Sequence, residues 1–322
     1  NSSENFCIDG IFEKKMLREI ITDKNLAWDK TLGKNPSEFI AKLSPESIDE
    51  LRLNMANLKD KRINDFPLLS GNIKRLKNEK IIHGVGLFII DGNTFSGFTK
   101  SEVSNIYEII SMILGELLEQ NIKGERIIKI KDKGKSLSTG GRYHQTSDGG
   151  SYHTDGPHWI QSPDILGMLC VNPALKGGTS KFISAYTIHN EILKKGIDKL
   201  KPLYENFFFD KREKVAKDLR TISKPVFNFV NDKLSCRFLK DYITTGHKIE
   251  NVSLSISQKL SLNLIKNISE DSKNSLSYNL ETNDMVFSDN HRLFHGRTAF
   301  KDLDGSSKKR EFLRVWIKTN LD

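Results

Sequence analysis

The sequence has little cysteine and little proline, and this scarcity limits the kinds of site it can build. Only 3 of the 322 residues are cysteine and 8 are proline. Cys7, Cys170 and Cys236 are far apart and odd in number, which argues against a disulfide framework and against a cysteine-based zinc cluster. We therefore expect any bound metal to use histidine and carboxylate ligands.

Long apolar runs and a single block of one charge are also missing. No stretch of about 18 apolar residues could span a bilayer, and residues 1–14 lack the basic-then-apolar pattern of a signal peptide. We expect a cytoplasmic protein without a membrane partner, either a monomer or a homodimer. The net charge of +9 comes from lysines that alternate with acids, so a solvated lysine-rich surface is favoured over a nucleic-acid groove.

The first part of the chain is predicted to be a helical flank, residues 1–75, of one domain that covers residues 1–322. Apolar residues spaced three and four apart predict helices at 12–21 and 37–43, and Ser44-Pro45 opens another run to Leu58. A compact β-branched stretch at 81–90 predicts a strand. The Thr99-x-x-Glu102 capping box then predicts a helix that ends near Leu118.

The rest of the chain, residues 80–322, predicts a strand-rich core with helical insertions. Short β-like segments are predicted at 165–171, 180–184, 207–209, 226–230, 234–238, 284–287 and 312–317. Helices are predicted only at 188–203 and, after a Ser255-x-x-Gln258 capping box, at 259–268. Asn231-Asp232 suits a tight hairpin turn. The fold class is mainly β with flanking helices, a jelly roll or related barrel.

A candidate metal site begins at His153-Thr-Asp155. On a strand, residues two apart point to the same face, so the imidazole and the carboxylate would project together. One further histidine from a distant strand would complete a facial triad of two histidines and one carboxylate, with coordination positions left open. A His-x-Asp pair by itself is equally compatible with a structural ion pair.

Three downstream motifs follow in order: Lys176-Gly-Gly-Thr179, then His295-Gly-Arg297, then Arg310-x-x-Leu-Arg314. Together with His153-x-Asp155 this set resembles the taurine dioxygenase-like (TauD/TfdA, clavaminate synthase-like) family of Fe(II)/2-oxoglutarate-dependent oxygenases. The resemblance covers about residues 140 to 318. It implies a double-stranded β-helix (jelly roll, cupin-like) core.

The resemblance also implies residue roles. His153, Asp155 and His295 would bind Fe(II), and Thr179 and Arg310 would hold the distal carboxylate of 2-oxoglutarate, with Arg314 as the alternative anchor. Arg310, Phe312, Arg314 and Trp316 would share one strand face, with Leu313, Val315 and Ile317 on the other. A guanidinium can bind a carboxylate through two parallel hydrogen bonds.

The activity implied is a dioxygenase that hydroxylates an aliphatic C–H of a small polar molecule and converts 2-oxoglutarate to succinate and CO2. The substrate would be an amino acid, a sugar acid or a natural-product precursor, and the choice among these is left open. Related halogenases lack the carboxylate, so Asp155 favours hydroxylation over halogenation. Related arginine hydroxylases carry Glu where this chain has Asp155, so their substrate cannot be carried over.

Residues flanking the metal ligands are further candidates for substrate contact. They are Arg142, Tyr143, Gln145, Ser151, Tyr152 and His158. The glycine-rich segment 131–151 is a hypothetical lid loop. Two other functions stay open: the same cofactor chemistry giving desaturation, epimerisation or ring formation, and a non-catalytic jelly-roll binding protein.

Overall fold

A computed structural model of the chain describes residues 15–132, 152–212, 220–302, 305 and 308–322. Short helices precede the first long strand, and longer ones are inserted later in the chain. The described helices are α1 (Pro45–Leu53), α2 (Pro67–Leu76), α3 (Lys100–Leu114), α4 (Ala185–Lys195), α5 (Ile197–Leu200), α6 (Lys240–Glu250) and α7 (Ile256–Glu270). None of the described helices combines the length and apolarity that crossing a membrane requires.

The described strands form one large sheet, one smaller sheet and several strand pairs. Their bounds are β1 (Ile40–Ala41), β2 (Leu87–Ile90), β3 (Glu116–Leu117), β4 (Ile127–Lys131), β5 (Ile165–Asn172), β6 (Lys176–Gly177), β7 (Ser180–Ser184), β8 (Asn206–Asp210), β9 (Thr221–Pro225), β10 (Phe227–Val230), β11 (Lys233–Cys236), β12 (Leu276–Tyr278), β13 (Met285–Asp289), β14 (Leu293–Arg297), β15 (Phe300–Lys301) and β16 (Glu311–Lys318).

The large sheet has the strand order β1-β2-β13-β5-β16-β3, and β4 also pairs with β16. Only β1 and β2 run parallel; the other pairs in this sheet are antiparallel. β5 lies between β13 and β16, where Gly167 pairs with Phe287 on one side and Val315 on the other. The last strand of the chain, β16, is therefore an interior strand, flanked by β5 on one side and by β3 and β4 on the other.

The smaller sheet has the order β12-β7-β14. β14 pairs with β7 in a register that sets His295 opposite Phe182 and Arg297 opposite Ser180. His153 joins the other side of β14 through an isolated antiparallel bridge to His295. The two sheets thus supply the strands around which the candidate site is built.

Buried apolar side chains of the described residues form three clusters. One cluster packs α1, α2 and α3 against the large sheet through residues such as Phe287 and Val315. A second lies between the two sheets and includes Val286 and Phe312 from the large sheet and Phe182 from the smaller one. A third packs the later helices and the β8 to β11 hairpins against the outer face of the smaller sheet.

Several elements match the sequence predictions. α1 begins after the N-cap Ser44, and the predicted capping boxes start α3 and α7. β7 spans the predicted residues. Asn231 and Asp232 both have positive φ between β10 and β11, as a two-residue hairpin turn of type I′ requires.

The predicted helices near the N-terminus are wrong. Within residues 15–21 the structure has no helix, and 37–43 contains the end of a 3-10 turn (Pro36–Glu38) followed by β1. Phe39 explains the second case, because its carbonyl accepts from the N–H of Ile89 and its ring is buried between the sheets. Pairing with β2 outweighs the helical spacing of the apolar residues.

Three other elements differ from prediction. Ile81 and Ile82 belong to a π-helical turn (Lys77–Ile82), and the strand starts only at Leu87. The helix predicted at 188–203 is divided at Gly196. α6 was not predicted at all.

The proposed lid, 131–151, lies outside the described residues from position 133 onward.

Candidate metal centre and co-substrate pocket

Two histidines are brought together by backbone pairing. The N–H of His153 donates to the carbonyl of His295 at 3.0 Å, and the N–H of His295 donates back at 2.9 Å. Residues paired in this way across antiparallel chains point their side chains to the same face. The imidazole centroids are accordingly 4.4 Å apart.

Asp155 follows His153 in a bend, not in a regular strand. Its backbone is held by Asn290, whose Oδ1 accepts from the Asp155 N–H and whose Nδ2 donates to the Asp155 carbonyl, both at 2.8 Å. Thr154 exchanges hydrogen bonds with the backbone of Phe238. Backbone pairing orients His153, and hydrogen bonds made by the side chains of Asn290 and Thr154, instead of strand pairing, then hold Asp155 beside it.

The three candidate ligands converge on one point. Asp155 Oδ1 is 3.1 Å from His295 Nε2 and 3.4 Å from His153 Nε2, and the three ligand atoms all lie within 4.8 Å of one another. Two imidazole nitrogens and one carboxylate oxygen on one side of an open cavity are the donor set of a mononuclear non-haem iron site. The residues present fit Fe(II).

The protonation states of Asp155 and His295 suit a metal. Burial raises the pKa of Asp155, but the Arg314 guanidinium and the two imidazoles outweigh it and hold that pKa well below its usual range. Burial, followed by the neighbouring His153, lowers the pKa of His295. A carboxylate that binds a metal is ionised and an imidazole that binds one is neutral. The shifts at Asp155 and His295 favour these forms before any metal is bound.

The ligands open into a cavity between the two sheets. Of the described residues, it is lined by Gln120, Ile130, His153, Thr154, Asp155, Gly156, Pro157, His158, Leu166, Met168, Ser180, Phe182, Leu239, Tyr242, Leu280, Val286, Ser288, His295, Gly296, Arg297, Arg310, Arg314 and Trp316. As predicted, Arg310, Arg314 and Trp316 share this face, while Leu313, Val315 and Ile317 pack into the helical side of the large sheet.

Arg310 lies immediately before β16 and is 3% exposed. Its guanidinium carbon is 4.2 Å from the Phe312 ring centroid and 4.9 Å from that of Phe300. Gly178 lets the Arg310 side chain approach the turn between β6 and β7, since a Cβ at position 178 would lie 3.2 Å from Arg310 Nε. The aromatic rings and the glycine hold the guanidinium at the cavity wall.

Thr179, which the resemblance assigned to 2-oxoglutarate, does not line the described part of the cavity, whereas its neighbour Ser180 does. The Thr179 hydroxyl donates to Asn279 Oδ1 at 2.7 Å, and Thr179 is not among the described residues that line the cavity. Ser180 does line it, opposite Arg297 in the strand register. Ser180 and Phe182 are two apart in the predicted strand 180–184 and therefore share a face, and this spacing is the sequence signal that could have identified Ser180.

Arg314 contacts the candidate ligand Asp155. Its NH1 is 3.3 Å from Asp155 Oδ2, and its Nε donates to Gln120 Oε1 at 2.8 Å. The Nε2 of Gln120 donates in turn to the carbonyl of Arg314. Gln120 was not identified from the sequence, because a glutamine between a short strand and a loop carries no local motif.

The flanking candidates for substrate contact separate into three groups. His158 lines the cavity, with its ring centroid 5.0 Å from that of Tyr242. Tyr152 is buried in the cluster on the outer side of the smaller sheet, so the structure does not bring it to the cavity. Arg142, Tyr143, Gln145 and Ser151 lie outside the described residues.

Comparison with known proteins agrees with this geometry. Residues 63–316 match the model of the family described as "Taurine catabolism dioxygenase TauD, TfdA family". FR-33289 synthase of Streptomyces rubellomurinus (strain ATCC 31215) is 31% identical over 279 residues, covering 84% of this chain and 80% of that protein. Taurine hydroxylase-like protein SAT17 of Stachybotrys chartarum (strain CBS 109288 / IBT 7711) is 26% identical over 168 residues, or 51% of this chain and 41% of that protein.

Solved structures show the same fold. Asparagine oxygenase in complex with Fe(II), 2S,3S-3-hydroxyasparagine and succinate superposes with a TM-score of 0.66 at 12% identity, covering 87% of this chain and 93% of that one. The non-haem iron oxygenase OrfP with Fe, succinate and (3S)-hydroxy-L-Arg gives 0.64 at 14% identity, covering 87% and 94%. The predicted double-stranded β-helix fold is confirmed. The family match covers most of the chain, and the chain belongs to the TauD/TfdA family of dioxygenases.

Proposed function

We propose that the protein is an Fe(II)/2-oxoglutarate-dependent dioxygenase that hydroxylates an aliphatic C–H of a small polar molecule. The observation that carries this proposal is the convergence of His153, Asp155 and His295, whose ligand atoms lie within 4.8 Å of one another at the wall of a cavity. The two solved neighbours named above hold iron and succinate. Succinate is what 2-oxoglutarate becomes on oxidative decarboxylation, so these complexes support iron as the cofactor and 2-oxoglutarate as the co-substrate here.

In this proposal the chain's own residues bind and orient the reactants. Arg310 donates to the distal carboxylate of 2-oxoglutarate from a position fixed by two aromatic rings, and the Ser180 hydroxyl adds a further hydrogen bond. When bound, Fe(II) with 2-oxoglutarate and dioxygen supplies the oxidising equivalent that converts C–H to C–OH and yields succinate and CO2. His158, Leu239 and Tyr242 form the described wall beyond the metal ligands and would orient the substrate.

The charge of the cavity favours an acidic substrate. Three arginines line the described cavity, Arg297, Arg310 and Arg314, and Asp155 is the carboxylate among its described lining residues. With a ferrous ion bound, an excess of positive charge remains after the 2-oxoglutarate dianion is counted. Amino acids, sugar acids and acidic natural-product precursors therefore fit better than a purely cationic molecule. Hydroxylation is preferred here, with desaturation, epimerisation and ring formation as alternatives that product mass distinguishes.

A non-catalytic binding protein is the second candidate. A protein that had lost catalysis would usually have lost a metal ligand or the co-substrate arginine, and this cavity keeps the three proposed ligands with Arg310 beside them.

Anaerobic addition of Fe(II) and 2-oxoglutarate should produce a weak visible charge-transfer band, and acidic candidate substrates should shift it. His153→Ala should remove the band and abolish turnover, since two ligands hold iron poorly. His83→Ala, at an exposed histidine, is the matched control. A wild-type protein that shows no band and forms no succinate would refute the proposal.

A further inference from the structure

The two oxygens of the Asp155 carboxylate have different surroundings. Oδ1 faces the two imidazoles, at 3.1 and 3.4 Å. Oδ2 accepts a hydrogen bond of 2.8 Å from the indole N–H of Trp316 and lies 3.3 Å from Arg314 NH1. One oxygen is therefore directed at the metal position, and the other is bound by the protein.

Trp316 is rigidly placed for this contact. It lies opposite Leu166 of β5 on β16, an interior strand of the large sheet, and it is 4% exposed. Its ring meets Trp159 edge to face, with centroids 5.8 Å apart. The segment that carries Trp159 is itself held by Arg237, whose guanidinium donates to the carbonyls of Pro157, Trp159 and Ile160.

The second group on Oδ2 is the positively charged guanidinium of Arg314, which also binds Gln120. Arg314 is shared between Asp155 and Gln120, so its guanidinium is held at the carboxylate by a side chain outside the metal site. The indole N–H of Trp316 is a single donor, and it donates to Asp155 Oδ2. Trp316 therefore fixes the rotation of the carboxylate more directly than Arg314 does.

We infer that Trp316 is a positioning residue that keeps Asp155 Oδ2 away from the metal, so that Asp155 binds through Oδ1 alone. This inference rests on the metal site of the proposed function. A carboxylate released from the indole could turn and bind the metal through both oxygens, and so occupy a position that the co-substrate needs. Hydrogen bonds that orient metal ligands are typically worth about 10- to 100-fold in metal affinity.

The test compares two tryptophans with similar burial and bonding. Trp316→Phe keeps an aromatic ring against Trp159 but removes the donor to Asp155. Trp28→Phe is the matched control, because Trp28 is 5% exposed and its N–H donates to the Val85 carbonyl at the same 2.8 Å, away from the site. Binding of Co(II) without 2-oxoglutarate is measured by titration, together with the visible absorption of the bound ion.

We expect Trp316→Phe to bind Co(II) about tenfold or more weakly than the wild type and to change the shape of the Co(II) absorption bands. Trp28→Phe should match the wild type in both. Trp316→His, which restores a ring N–H, should recover part of the affinity. If Trp316→Phe does not fold, Trp316→Met takes its place, because the flexible thioether can fill the space.

Equal Co(II) affinity and equal spectra in Trp316→Phe and Trp28→Phe would overturn the inference while leaving the metal site intact. Failure of the wild-type protein to bind Co(II) would instead overturn the proposed metal site, and the inference with it. The two failures are therefore distinguishable in the same titration.

Discussion

Thr179 and Ser180 are adjacent hydroxyl residues with different surroundings, and they show how finely a binding residue depends on register. Gly177 and Gly178 both have positive φ, 75° and 70°, a conformation that glycine adopts without steric cost. This turn sends the Thr179 hydroxyl to Asn279 and leaves Ser180 in the cavity. The function proposed above therefore assigns the 2-oxoglutarate contact to Ser180.

Substitution of each hydroxyl should separate the two assignments. Ser180→Ala is expected to raise the KM for 2-oxoglutarate by about 3- to 10-fold, as the loss of one hydrogen bond of roughly 1 kcal/mol predicts. Thr179→Val should leave that KM near the wild-type value. Steady-state succinate formation at varied 2-oxoglutarate checks both variants. A larger effect in Thr179→Val than in Ser180→Ala would restore the original assignment to Thr179.

The residues proposed as metal ligands could be predicted from sequence because their chemistry is carried by residue type and order. The His153-x-Asp155 pair is a weak signal by itself, but its order with His295-Gly-Arg297 and Arg310-x-x-Leu-Arg314 carries the family resemblance. The structure brings His153, Asp155 and His295 together. Gln120, Ser180 and Trp316 could not be predicted in the same way. Their roles come from which strand lies beside which, and a local pattern does not contain that information.

At the scale of elements, β5 is held on both sides and has no room for a side chain at its centre. Gly167 pairs with Phe287 of β13 and Val315 of β16. A Cβ at this position would lie 2.6 Å from Val315 Cγ2 and 2.8 Å from Phe287 Cε1. The close approach lets both neighbours pack over the strand.

Gly167→Ala should therefore destabilise the protein, by about 1–3 kcal/mol for overpacking of a close-packed core. Gly71→Ala is the opposite case, since Gly71 lies within α2 and a Cβ there meets nothing within 4 Å. Gly71→Ala should raise the free energy of unfolding by about 0.5–1 kcal/mol through the higher helix propensity of alanine. Urea unfolding midpoints measure both changes. Equal effects of the two substitutions would contradict the packing argument.

The elements that could be predicted from sequence are those with a local signal. α3 and α7 have capping boxes, and β7 and β16 alternate or concentrate β-forming residues. α6 has a weaker signal because Gly246 interrupts it, and glycine lowers helix propensity. A Cβ at Gly246 would collide with the backbone carbonyl of Phe208. The packing of α6 on β8 therefore requires glycine at this position, and the same glycine weakens the helical signal in the sequence.

At the scale of the whole molecule, a buried histidine should make stability depend on pH. His189 on α4 is fully buried, its Nε2 lies 2.8 Å from the Tyr204 hydroxyl, and burial lowers its pKa to about 4. A histidine whose pKa is depressed in the folded state contributes stability above its unfolded pKa, near 6.5. That contribution is lost as pH falls from about 6.5 toward 4.

The free energy of unfolding should fall by up to about 3 kcal/mol over this range because of His189 alone. His189→Gln should flatten the pH dependence between 6.5 and 4, whereas His83→Gln, at an exposed position, should leave it unchanged. Chemical denaturation at several pH values provides the measurement. A pH profile that is identical in wild type and His189→Gln would show that other groups control acid unfolding.

The bridge between His153 and His295 has a consequence for the assembly of the protein. Its two partners come from distant parts of the chain, and the Asn290 clamp on Asp155 joins the same two parts. A ferrous ion held there would act as a cross-link that exists only after long-range pairing is complete. Iron would therefore bind the native state and not the unfolded chain, and loading the metal should raise resistance to unfolding in proportion to the logarithm of its concentration.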